Sequence, residues 1–112
     1  MPPREQDRLR HILEAADRAI AIASQHDLDD ILDDETLQYS LFWLLGVVGE
    51  AARHLPASLE HELALPLSKM VATRNRITHG YFDINVEMAF RTALDDLPPV
   101  AERIRAYLRA SR

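Results

Sequence analysis

The residues with the greatest chemical capacity lie together in Thr73-Arg74-Asn75-Arg76-Ile77-Thr78-His79-Gly80-Tyr81. Arginine offers a permanently charged planar fork that fits phosphate oxygens, and histidine exchanges protons near neutral pH. No acidic residue lies between Glu62 and Asp83, although the chain as a whole carries a formal charge of −5. Arg74 and His79 together suit RNA cleavage in which the RNA's own 2′-hydroxyl attacks the adjacent phosphorus. The imidazole would move the proton, and the guanidinium would meet the charge building on the phosphorane. That route requires no metal, and the segment lacks the carboxylates a magnesium site would use. Asn75 is placed to orient the imidazole or to hold a phosphate oxygen.

Spacing constrains how these groups cooperate. Residues four apart share a helix face, so Arg74 neighbours Thr78 and Asn75 neighbours His79. Arg74 and His79 are five apart, roughly 140° around a regular helix. Two routes bring them together: the last turn unwinds at Gly80, or a two-fold dimer sets Arg74 of one copy beside His79 of another. The sequence leaves both open. An arginine and a histidine near a helix C-terminus also complement its dipole, so the bare pattern is a weak signal.

The elements that must position these residues are helical. Leu9, Ile12, Leu13, Ala16, Ala19, Ile20 and Ala23 recur at three and four residues, which predicts an amphipathic helix from Arg4 to about Gln25. The acidic stretch Asp27 to Asp34 reads as a connector with one turn around Leu28, Ile31 and Leu32, and Asp33 or Asp34 caps the next helix. That helix, about Glu35 to Leu55, has Leu37, Leu41, Leu44, Leu45, Val48, Ala52 and Leu55 on one stripe and Trp43 and Val47 on a second. A helix apolar on two sides is central or lies at a subunit interface. Glu50 and His54 continue the second face, and Gly46 and Gly49 imply close approach of another backbone.

Pro56 ends that helix, and an ill-defined bridge covers Ala57 to Leu65. Pro66 opens a third helix carrying Arg74 and His79 in its last turns, with Gly80 suited to stop it. Asn85 caps a final helix whose apolar phase survives Pro98 and Pro99, which predicts a proline kink within one helix. Nothing alternates with period two long enough for a strand. The expected fold class is all-α, with residues 1–112 forming one domain.

Composition narrows the function classes. Absence of cysteine excludes a disulfide framework, a thiolate nucleophile and a cysteine-ligated zinc site. The longest apolar run, Leu41 to Gly49, falls short of the roughly 20 residues of a spanning helix, so no membrane role and a cytoplasmic setting are expected. The acidic total argues against broad nonspecific nucleic-acid binding, so any RNA site must be local. His11, His26, His54 and His61 have no metal-ligand spacing, and neither a metal nor another cofactor is expected. Glu50 and His54 share a face one turn apart, and Glu50 is a possible supporting residue that pairs with Arg74 across the cleft or makes a solvated pair. Trp43 and Phe42 read as core or dimer contacts rather than stacking platforms.

The string Arg74-Asn75-Arg76-Ile77-Thr78-His79-Gly80-Tyr81 resembles the Arg-x4-His-x-Tyr motif of the HEPN superfamily, specifically its HepT-like ribonuclease toxins. The likeness extends over nearly the whole chain: its length, Gly49-Glu50-Ala51 late in the second helix, the motif at the end of the third, and a closing helix after a short loop. The resemblance implies an up-and-down bundle of four main helices that forms a homodimer, with the two motifs facing a shared cleft. It also implies metal-independent endoribonuclease activity with Arg74, His79 and Asn75 as the catalytic set. Tyr81 corresponds to the phenol that a partner minimal nucleotidyltransferase antitoxin modifies with AMP, silencing the toxin. Similar proteins also act as noncatalytic subunits that bind substrate for, or dock, a nucleotidyltransferase.

Overall fold

The computed structural model describes residues 3–79 and 85–111. The first helix, α1 (Pro3–Gln25), buries Leu9, Ile12, Ala16, Ala19 and Ala23, the stripe its periodicity predicts. The acidic connector is organised by capping. Asp27 accepts from the Asp30 N–H at 2.9 Å and Asp30 accepts from the Asp27 N–H at 3.2 Å, which opens the short helix α2 (Leu28–Leu32). Asp34 then accepts from the N–H groups of Thr36 and Leu37 at 2.9 and 3.2 Å and opens α3 (Glu35–Arg53). These carboxylates satisfy donors that a helix start leaves orphaned and oppose its positive end. Ile31 is fully buried and anchors α2 to the core.

Helix α3 lies between α1 and the later helix Leu67–His79 and buries Leu41, Leu44, Leu45, Val48, Ala51 and Ala52. Its second apolar face is not core: Trp43 is 72% exposed and Tyr39 63%. The bridge after Pro56 is more ordered than the sequence suggests, because Ala57–Glu62 form a helix, α4, that buries Leu59. It ends in a left-handed residue, Ala64, at φ 53°, whose carbonyl accepts a 2.9 Å hydrogen bond from Arg103. Helix α5 (Leu67–His79) follows, burying Leu67 and Met70.

Asn85 caps α6 (Val86–Arg91) by accepting from the Met88 N–H at 3.1 Å. The chain stays helical past Pro98 and Pro99, as the apolar phase predicts, and it does so through a π-helical turn, Thr92–Asp96, into α7 (Leu97–Ala110). Pro98 and Pro99 have no N–H to continue an α ladder. The widened turn, in which the Leu97 N–H reaches the Thr92 carbonyl, puts them in the first turn of α7, where the missing donors cost nothing. Helix α7 packs on α1, and Arg105 grips Asp17 with two 2.8 Å hydrogen bonds. All buried residues of the described core are apolar, with Leu9, Ile12, Ile31, Leu41, Leu65 and Ile104 among the most deeply enclosed. The described residues are all-α, with no strand among them.

The two glycines of α3 have opposite surroundings. A Cβ on Gly49 would lie 2.7 Å from the Met70 carbonyl oxygen and would collide with the Arg74 side chain, whereas one on Gly46 would meet nothing within 4 Å. The expected close approach is therefore real at Gly49 and, among the described residues, missing at Gly46. Gly49→Ala should cost about 1–3 kcal/mol by overpacking, while Gly46→Ala should stabilise by about 0.5–1 kcal/mol through helix propensity. Urea unfolding of both variants checks this; equal stability for Gly49→Ala and wild type would refute the close contact.

Candidate active site

Because Gly49 has no side chain, α5 can press Arg74 directly onto α3. The guanidinium then comes to rest beside the next residue of α3: Arg74 Nη2 lies 3.3 Å from Glu50 Oε2. Its other terminal nitrogen, Nη1, donates to Asn75 Oδ1 at 3.1 Å. The Arg74 side chain is only 26% exposed, so the ion pair is partly sheltered.

Glu50 is the junction of the site. Its Oε1 accepts from Arg53 Nη2 at 3.0 Å and from His54 Nε2 at 3.2 Å, the latter requiring the His54 proton on Nε2. Its Oε2 is enclosed and has no hydrogen-bond partner among the described residues, so the approach to Arg74 is an ion pair without hydrogen-bond geometry. The hydrogen bond from Arg53 chiefly, then that from His54, with help from the charges of Arg53 and Arg74, holds the Glu50 carboxyl below its ordinary value. Glu50 is therefore ionised at neutral pH, and Arg74 has a counterion in the isolated chain.

Arg74, Glu50 and His54 line a hollow of about 590 Å³ between α1, α3 and α5. Arg74 and Thr78 reach it from α5, Trp43, Glu50 and His54 from α3, and Arg8 and His11 from α1. Arg8 and His11 were missed in the sequence. They sit beside the buried Leu9 and Ile12 on a helix remote from the motif, and only the packing of α1 on α3 puts them here. The single clue was their three-residue spacing off the apolar stripe.

His79 is exposed and is not among the residues lining the hollow. Helix α5 remains α-helical through His79, so the imidazole is not swung round to join Arg74 within one chain. Asn75 shares a helix face with His79, and its Oδ1 accepts a hydrogen bond from Arg74. Of the two alternatives for Glu50, a pair with Arg74 or a solvated pair, the contact with Arg74 is present. Gly80 and Tyr81 lie outside the described residues. Among the described residues no three His, Asp or Glu side chains converge as a metal-ligand set.

An arginine held by a carboxylate and an amide, at the edge of a hollow also lined by histidines, can exchange its counterion for a phosphate. Comparison with known proteins agrees with this chemistry. A family model described as Ribonuclease HepT-like matches residues 12–107. A protein of Methanocaldococcus jannaschii, provisionally named an RNase, is 25% identical over 86% of this chain and 89% of its own length. One from Caldanaerobacter subterraneus subsp. tengcongensis, also provisionally named an RNase, is 24% identical over 93% of this chain and 94% of its own. A third, from Thermococcus cleftensis and provisionally named ribonuclease HepT, is 26% identical over 83% of this chain and 86% of its own. No solved structure matches the chain significantly. With a family match that spans all but the two ends of the sequence, the chain belongs to the HepT-like ribonuclease family.

Proposed function

We propose that the protein is a metal-independent endoribonuclease acting as the toxin of a toxin–antitoxin pair, with Arg74, His79 and Asn75 as its working set. The observation that carries this reading is the poised guanidinium: Arg74 is fixed at the hollow by Glu50 and Asn75, in a chain of a ribonuclease family. In the proposed reaction a ribose 2′-oxygen bonds to the adjacent phosphorus and the bond from phosphorus to the 5′-oxygen breaks. His79 takes the proton from the 2′-hydroxyl and returns it to the leaving 5′-oxygen, giving a 2′,3′-cyclic phosphate and a 5′-hydroxyl. Arg74 exchanges Glu50 for the phosphorane oxygens, where charge develops. Asn75 holds the guanidinium in place.

Two copies complete the site in this reading. Arg74 and His79 are separated by roughly 140° around α5 and by about 7.5 Å along it, and α5 does not unwind before His79. A homodimer that faces the two motifs across a cleft supplies each Arg74 with the partner's His79.

Silencing is assigned to Tyr81. Transfer of AMP to its phenol by a cognate nucleotidyltransferase antitoxin would add a bulky anion two residues from His79, blocking RNA by bulk and by charge. Among the described residues no helix is long and apolar enough to cross a membrane, which suits a cytoplasmic pair of this kind. A noncatalytic docking subunit for the nucleotidyltransferase is the second reading. It is favoured by the compensation of Arg74 by Glu50 and by the net charge of −5.

Purified protein should cleave RNA with EDTA present, and His79→Ala should slow cleavage by about 10²–10⁴-fold. Arg74→Ala should slow it by about 10²–10³-fold. RNA left intact by the unmodified protein would favour the docking subunit, and cleavage abolished by chelation would remove the metal-free route. Co-expression with the antitoxin should add the mass of AMP to a peptide containing Tyr81 and stop cleavage. A Tyr81→Phe protein that still gains this mass would show that the site lies elsewhere.

A further inference from the structure

The hollow contains more than the proposed reaction uses. Trp43, the chain's only tryptophan, leaves 72% of its surface exposed on a helix that otherwise forms the centre of the core. Trp43, Gly46 and Glu50 lie on one face of α3, and the open space above Gly46 leaves room beside the indole. Arg8, half-buried on α1, lines the same hollow from the other side. An aromatic face, vacant floor space and a guanidinium are the elements by which proteins hold an unpaired nucleotide: the base stacks and the cation meets the phosphate.

We propose that this hollow is a subsite for one unpaired base of an RNA strand, stacked on Trp43, with Arg8 on an adjoining phosphate. The proposal rests on the reading that RNA is the substrate, and it assigns the strand's placement to two residues outside the motif. The hollow's volume of about 590 Å³ falls within the roughly 300–1,000 Å³ of sites that enclose a small molecule. Its lining complements this occupant: the guanidinium groups of Arg8 and Arg74 border it beside the Trp43 indole, and a cation next to an aromatic face matches the phosphate and base of an unpaired nucleotide. With the chain acidic overall, stacking rather than a broad positive field must supply most of the grip.

Trp43 is its own probe. A 2′-O-methyl RNA tetranucleotide, which has no 2′-hydroxyl to attack, should quench tryptophan emission saturably in the wild-type protein. By anisotropy of a labelled copy of that oligonucleotide, Trp43→Leu should weaken binding by roughly tenfold or more, and Trp43→Phe should recover much of the loss. Arg8→Gln should weaken it severalfold and flatten the salt dependence by about 0.7 in the log–log slope, the single-strand value for one phosphate. In cleavage assays the Trp43→Leu defect should fall mainly on KM. Circular dichroism establishes that each variant is folded.

Saturable quenching without any cleavage would keep the subsite and refute the ribonuclease. Cleavage with emission unmoved by the oligonucleotide, and with KM unchanged in Trp43→Leu, would keep the ribonuclease and overturn the subsite. Emission that shifts with protein concentration alone and ignores the oligonucleotide would also overturn it, showing the face to be covered by another copy.

Discussion

The organisation of the site depends on the contact of α5 with α3 at Gly49. With no side chain there, the first carbons of Arg74 lie against the α3 backbone and the Met70 carbonyl comes close behind. That proximity sets Arg74 beside Glu50, whose carboxylate is itself stabilised by Arg53 and His54. The cation is thus located by packing and held by electrostatics, before any substrate arrives. The pair sits at the edge of a hollow rather than in the core, where desolvation of both charges would outweigh their attraction.

The same contact divides the motif. Because α5 stays regular through His79 and is locked to α3 through Met70 and Arg74, the imidazole is carried to another side of the helix. Rigid placement of one catalytic candidate therefore implies incomplete placement of the other. In the proposed reading a second chain supplies what the single chain leaves apart. The exposed aromatic face of α3 borders the hollow that Arg74, Ile77 and Thr78 line from α5, whereas His79, on the same helix, is not among the lining residues.

Much of this was legible in the residues. The apolar stripes of α1 and α3 and the caps at Asp34 and Asn85 follow from helical spacing and side-chain chemistry, whereas the Glu50–Arg74 contact was one of two alternatives the residues left open and the packing of α5 on α3 decides it. Other parts depend on packing that no local pattern records. Gly46 and Gly49 look equivalent in sequence, yet one faces open space and the other a carbonyl. The exposure of Trp43 is hidden for the same reason, because an apolar second face on a helix does not say whether anything covers it. Helix α4 has no side-chain cap to announce it, and the π turn before Pro98 is a response to prolines that left the apolar phase intact. Arg8 and His11 reach the hollow only because α1 packs on α3.

The most direct test of a site shared between two chains is complementation. Arg74→Ala and His79→Ala proteins, each inactive, are mixed, partly unfolded and refolded together, and native mass spectrometry verifies that mixed dimers form. Roughly a quarter of the wild-type cleavage rate should return, since random pairing makes roughly half the dimers mixed and each of these holds one intact pair. Mixed dimers no more active than either variant alone would contradict the account.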